Sequence, residues 1–274
     1  MLHILIDPLK YSFMQRSILV AILIGLLCSV VGSYLMVQRL ALLGDAISHS
    51  VMPGLAIAFS LGIPMIIGAL GAAILSTIII AWIKTELPLK EDTAIGIVFA
   101  SFFAIGIIFI SIIQKNNKID LNHFLFGNIL SVSVEDVIST SLIFILVLGV
   151  TISLYKELLF FTFDNISAEV VGLPIKQLNF SLMILITLTT VASMKVVGVV
   201  LVLALLIIPS ASAYLLVKRL HQIMTLGACL GIISSITGMY ISYYFNLPSG
   251  PSIVMIASII FIAALTIHKL KYVF

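Results

Sequence analysis

Phe180-SLMILITLTTVASMKVVGVVLVLALLIIPSASAYLL-Val217 is a run of 38 residues with one charge, Lys195. At about 1.5 Å per residue it would form a helix of about 57 Å. That is too long for one crossing of a hydrocarbon core of roughly 30 Å and marginal for two. Where the run turns sets the number of spans: nine if near Lys195, eight if near Pro209. Lys195-Val-Val-Gly-Val offers one glycine and no Pro, Asn or Asp. Ile208-Pro209-Ser210-Ala211-Ser212 reads as a helix end and restart, because proline suits the first turn of a new helix and serines bond locally. The turn chemistry favours one tilted helix over 180–207. A short helix over 209–220 follows, ending in the basic Lys218-Arg219-Leu220-His221.

Outward from this run the chain is a series of charge-free stretches: 18–37, 47–61, 63–83, 94–113, 137–155, 223–244 and 253–267. Their lengths predict an all-α polytopic membrane protein of about eight transmembrane helices plus the short helix over 209–220, in one domain over 1–274. Asp7, Lys10 and Arg16 precede the first stretch and no small-residue cleavage site follows it, so it reads as a retained span rather than a signal peptide. Basic residues do not choose between layouts. Eight spans with the N-terminus inside place 8 inside and 5 outside, whereas nine with the N-terminus outside place 9 inside and 5 outside. A short helix is expected between Asp164-Asn165 and Gly172-Leu-Pro174, and a tight turn at Asn246-Leu-Pro-Ser-Gly-Pro251.

Composition agrees. The 274 residues are 62% hydrophobic and 9% charged, with a mean hydropathy of +1.30. A soluble domain carries about a quarter charged residues, so a water-soluble globule is excluded. A net charge of +3 without a basic block gives no reason to expect nucleic acid. Cys28 and Cys229 sit inside apolar runs and read as small hydrophobes rather than a disulfide or a metal pair. No P-loop, G-x-S-x-G or H-E-x-x-H pattern occurs.

One segment carries chemistry: Gly44-Asp-Ala-Ile-Ser-His-Ser-Val-Met-Pro-Gly54. Asp45 and His49 are four apart and share a helical face, with Met52 on it too. A carboxylate oxygen and an imidazole nitrogen at that spacing can grip one divalent first-row ion. Pro53 lacks an N–H, so the His49 carbonyl loses its helical partner and becomes a third candidate donor. Broken helices that line a cavity build intramembrane ion sites in this way. Two structural readings compete: Asp45 as a helix N-cap on the N–H of Ser48, and His49 as a neutral histidine bonded to a neighbouring carbonyl. Lys195 is the other buried-looking charge, either lining the path or a snorkelling or loop lysine. His123 reads as structural, and His3, His221 and His268 lie near ends or basic clusters.

Leu43-Gly-Asp-Ala-Ile-Ser-His-Ser-Val-Met-Pro-Gly54 resembles the signature of the metal-type ABC importer permeases, the manganese/zinc/iron group. Phe124-Leu-Phe-Gly-Asn-Ile-Leu130, the run from Lys195 to Pro209, and Asn246-Leu-Pro-Ser-Gly-Pro251 are similar to further segments of that family, in the same order. Ser193-Met-Lys-Val-Val-Gly198 and Tyr155-Lys-Glu-Leu-Leu-Phe160 are closest in wording to cyanobacterial manganese permeases. The resemblance implies a homodimeric permease in a bacterial cytoplasmic membrane with both termini cytoplasmic. It implies an extracytoplasmic solute-binding protein that delivers the ion and a separate nucleotide-binding subunit that hydrolyses ATP. The chain itself would be no enzyme and hold no cofactor of its own. Asp45 and His49 would be the transient metal ligands, with Met52 and Lys195 as path-lining candidates. Pro209, Ser210, Ser212, Leu216, Lys218 and Arg219 would dock the ATPase. A stand-alone proton-coupled metal transporter is the alternative, distinguished by activity without an ATPase partner.

Overall fold

A computed structural model describes residues 7–114 and 129–273. His3, His123 and residues 124–128 lie outside the described residues. The α-helices are α1 (Ser12–Gln38), α2 (Ala41–Ser50), α3 (Met52–Leu61), α4 (Met65–Glu86), α5 (Glu91–Gln114), α6 (Val134–Ser153), α7 (Tyr155–Phe163), α8 (Asn165–Val170), α9 (Ile175–Val197), α10 (Val199–Leu216), α11 (Leu220–Phe245) and α12 (Ser249–Val273). Among the described residues there is no strand, and nine helical segments are long and apolar enough to cross a membrane, counting α2–α3 as one. The all-α polytopic architecture is therefore as expected, with nine candidate spans in place of eight.

The difference arises in the run 180–217. The helix does not continue over 180–207. It breaks at Gly198, with φ 81° and ψ 165°, a backbone region that is essentially glycine-only. No helix restarts at Pro209, which lies inside α10. A proline is tolerated inside a membrane helix when neighbouring groups satisfy the backbone around it. Pro209 leaves the Leu205 carbonyl without its helical N–H; beside it the Ser212 hydroxyl donates to the Ile208 carbonyl at 2.8 Å, and the Ser210 hydroxyl ties α10 to α1 by donating to the Ser29 carbonyl at 2.9 Å. The separate coupling helix over 209–220 is thus replaced by the last turns of α10, the connection Val217–Arg219 and the start of α11.

The chain divides into two compact units. The first comprises residues 1–39, 123–149 and 192–274. Helices in lipid gain little from hydrophobicity against one another, so close backbone approach decides their contacts. Gly25 of α1 lies against Gly231 of α11, Gly32 of α1 against the Leu206 carbonyl of α10, and Gly238 of α11 against Ile253 of α12. The Tyr11 ring, just before α1, meets Tyr243 near the end of α11 at 6.4 Å. Hence α1 and α11 run antiparallel, as do α11 and α12 across the left-handed Asn246 (φ 51°). The His268 ring Nδ1 pairs with the Leu215 carbonyl at 2.6 Å, bringing the end of α12 to the end of α10. Lys269 and Lys271 therefore gather with Arg39, Lys218 and Arg219 at one end of this unit. Asp7, Lys10 and Arg16 lie at the other. The start of α1 and the end of α12 are at opposite ends of this unit, because α1 and α12 both run antiparallel to α11 and so parallel to each other.

The second unit comprises residues 40–122 and 150–191. Its α3 and α4 approach through Gly54 and Gly68, where each Cα faces the other's carbonyl. The Thr77 and Thr187 hydroxyls bond at 2.7 Å between α4 and α9. At one end Lys84 of α4 pairs with Glu91, the first residue of α5, and bonds Asn179 of α9 at 3.2 Å. The short helix expected between Asp164-Asn165 and Gly172-Leu-Pro174 is α8, and α7 precedes it. Asp164 caps α8, accepting the Ser167 N–H at 2.9 Å, and Gly172 turns the chain at φ 89°.

Candidate functional site

The α2–α3 pair builds the site. Asp45 is well inside α2, which begins at Ala41, so it is not an N-cap. The hydroxyls of Ser48 and Ser50 donate back to the carbonyls of Gly44 and Ala46 at 2.9 and 2.7 Å, satisfying polar groups within the helix. Val51 joins the two helices in near-helical geometry, and Pro53 sits in the first turn of α3, where its missing N–H does least harm. The Val51 N–H turns back towards the His49 carbonyl, but Pro53 supplies no N–H to it and a carbonyl oxygen has two lone pairs, so it stays a third candidate donor.

His49 Nε2 and Asp45 Oδ1 are 3.7 Å apart, with the side chains 29% and 47% exposed. Both are reachable. With donor bonds of about 2.1 Å, that separation corresponds to about 120° at a shared ion, an open angle that fits without moving either side chain. His49 Nδ1 is buried and has no hydrogen-bond partner, so the reading of His49 as a carbonyl-bonded core histidine does not hold. Among the described residues no third His, Cys, Asp or Glu joins the pair. Two donors of mixed type make a weak site for a divalent ion, which is what repeated loading and release requires.

Depth follows from α5. The imidazole lies edge-on to Phe99 and Phe103 of α5, with ring centroids 5.6 and 5.4 Å away. Those rings are two to three turns past Glu91, roughly 12–18 Å along the axis at 1.5 Å per residue. The Lys84–Glu91 pair marks the polar end of that helix, so the Asp45–His49 pair lies beside the middle turns of α5 rather than at its polar end.

The other sequence candidates separate. Met52 is buried, and its Cβ packs against Gly106 of α5; it is a packing residue. Lys195 is in the last turn of α9 and pairs with Asp136 Oδ1 of α6 at 2.7 Å, both in the first unit. It is neither a free loop lysine nor a bare charge in the path. Ser133 donates its N–H and hydroxyl to the other oxygen of Asp136 at 3.1 and 2.7 Å. Pro209, Ser210 and Ser212 are buried; Leu216 is half-buried, and Lys218 and Arg219 are exposed. Cys28 is buried and Cys229 exposed, and both are free thiols.

One feature escapes a reading of the sequence: the Phe99–Phe103 pair, whose only sequence signal is two aromatic residues one helical turn apart. The short helix that the sequence does foresee, α8, is too short to span, and its Ile166 and Val170, with Val171 just after it, are 78, 83 and 69% exposed.

The manganese transport system membrane protein MntC of Listeria monocytogenes is 43% identical over 256 residues, covering 93% of this chain and 91% of its own length. The chelated iron transport system membrane protein YfeD of Yersinia pestis is 37% identical, covering 97% of this chain and 89% of its own. Among solved structures, PsaBC from Streptococcus pneumoniae in complex with Fab matches with a TM-score of 0.84 at 38% identity, over 96% of this chain and 95% of that one. The model of the ABC 3 transport family matches residues 10–268, and the chain belongs to that family.

Proposed function

We propose that this chain is the membrane-spanning permease subunit of an ABC importer for divalent transition metal ions, Mn, Zn or Fe. The observation that carries the proposal is the Asp45–His49 pair, 3.7 Å apart on a jointed helix. Membership of the ABC 3 transport family supports it. In this reading an extracytoplasmic solute-binding protein delivers the ion. Two permease copies face each other, so that two Asp–His pairs supply four donors. A separate ATPase subunit hydrolyses ATP and rocks the copies between outward and inward access. The ion is cargo, bound only in passage; the chain carries no cofactor and performs no hydrolysis.

The proposed membrane is the bacterial cytoplasmic membrane. The positive-inside rule puts the end bearing Arg39, Lys218, Arg219, Lys269 and Lys271 in the cytoplasm. The N-terminal segment is then outside and the C-terminus inside, the layout with 9 basic residues inside and 5 outside. The same count puts α7 and α8 in the cytoplasm. The ATPase contact is proposed at the exposed Lys218 and Arg219 and at the apolar tip of α8. Pro209, Ser210 and Ser212 are too buried to take part.

The test is manganese uptake by vesicles holding the chain with and without its ATPase subunit. Uptake should need both subunits and ATP. Uptake by the chain alone, driven by a proton gradient, would overturn the proposal in favour of a secondary transporter. Cysteines at Val170 and Lys218 should crosslink to the ATPase subunit, and labelling of either from outside intact cells would overturn the orientation.

A further inference from the structure

A histidine that ligates a metal usually donates its second N–H to a carboxylate or carbonyl, which fixes the ring and makes it a stronger donor. Among the described residues His49 has no such partner: Nδ1 is buried without a hydrogen bond. Its neighbours are two aromatic rings. Phe99 and Phe103 stack on each other, one helical turn apart, with centroids 5.8 Å apart and planes at 21°. His49 meets Phe99 at 63° and Phe103 at 82°, both edge-to-face arrangements. Such pairs are attractive over centroid separations of about 4.5–7 Å. The ring is therefore held from one side by apolar surface, with Nε2 left towards Asp45.

We propose that Phe99 and Phe103 are positioning residues that orient His49 for the transported ion while withholding the hydrogen bond that would tighten its grip. The inference rests on the proposed function and adds the device that keeps the site ordered yet weak. Orientation without a polar partner lowers the ordering cost of binding. The missing acceptor leaves the imidazole a poorer donor, so the ion leaves readily. Gly106 makes the arrangement possible. A Cβ there would lie 2.6 Å from Met52 Cβ, so only glycine lets α5 come close enough to set the rings against His49.

Two opposite substitutions test the idea in the reconstituted permease–ATPase complex. Equilibrium binding of manganese(II) without ATP gives Kd, and ATP-driven uptake gives KM and kcat. Phe99→Leu with Phe103→Leu removes both rings. It should raise Kd and KM together by about tenfold, the lower end for losing a ligand's outer partner, with kcat at saturating ion nearly unchanged. Phe103→Tyr keeps the ring and should behave as the parent. Phe103→Gln offers Nδ1–H an acceptor and should tighten Kd by about tenfold or more while lowering kcat, because release slows. Parental Kd and KM in the double leucine variant, or no tightening in Phe103→Gln, would overturn the inference. Asp45→Asn and His49→Ala distinguish its failure from that of the underlying reading. If they lose binding while the phenylalanine variants change nothing, only the clamp is wrong; if they bind manganese as the parent does, the site itself is wrong.

Discussion

Gly106→Ala should damage both packing and ion affinity. The added Cβ would sit 2.6 Å from Met52 Cβ, 3.1 Å from the Pro53 nitrogen and 3.2 Å from the Met52 carbonyl carbon. Non-bonded carbons prefer about 3.5–4.0 Å, so α5 and the α2–α3 joint must part by about 1 Å. Two of the three atoms are backbone, so no side-chain rotation relieves the clash. Overpacking of this kind costs about 1–3 kcal/mol. Phe103 is one turn from Gly106 on the same face of α5, so the same displacement draws its ring off His49. The expected result is a lower melting temperature for the purified complex and a severalfold rise in the manganese KM. At Gly96, on the same helix, a Cβ would have no neighbour within 4 Å, and Gly96→Ala is the matched control. If the two alanine variants share the parental melting temperature and KM, the close approach at Gly106 does not position the site.

Three further outcomes follow from the geometry. Gly32→Ala drives a methyl group into the Leu206 carbonyl and should block assembly, whereas at Gly227 the nearest atoms are at an ordinary 3.6 Å and alanine should be accepted; yield of folded complex reads both. Lys195→Met leaves Asp136 without its cation and should lower that yield, with a loss of stability below the roughly 3–5 kcal/mol of a fully buried pair; the exchange Lys195→Asp with Asp136→Lys should recover part of the yield. The hydrogen bonds from Ser167 hold the Asp164 carboxyl below the usual carboxylate range, so its cap on α8 is present above that range and is lost as pH falls through the lowered value. Hydrogen exchange over Asn165–Val170 should therefore quicken only in strong acid, while Asp164→Ala should quicken it at every pH.

The spans are legible because lipid demands long charge-free helices: the stretches over 18–37, 94–113, 223–244 and 253–267 each lie in one, and those over 63–83 and 137–155 overrun theirs by two residues. The 180–217 run misleads because local turn chemistry carries no information about tertiary contacts. Pro209 looks like a restart in isolation, yet it is buried within α10, which the Ser210 hydroxyl ties to α1. Gly198 looks unremarkable in sequence, yet only its backbone conformation breaks the helix. At the site, the i, i+4 spacing of Asp45 and His49 is enough to find the pair. The spacing of charges does not show that Lys195 has Asp136 as its counter-ion. The aromatic clamp is invisible because it depends on α5 meeting the α2–α3 joint, a contact between segments about fifty residues apart that no local pattern encodes.

The most direct measurement is ATP-driven manganese uptake by Asp45→Asn in vesicles that hold the whole complex. Asparagine keeps the shape and an oxygen towards His49 but removes the charge that offsets dehydration of a divalent ion. Uptake should fall to background while insertion into the membrane and association with the ATPase subunit stay intact. Transport by Asp45→Asn at the parental rate would contradict the assignment of Asp45 and His49 as the ion's ligands.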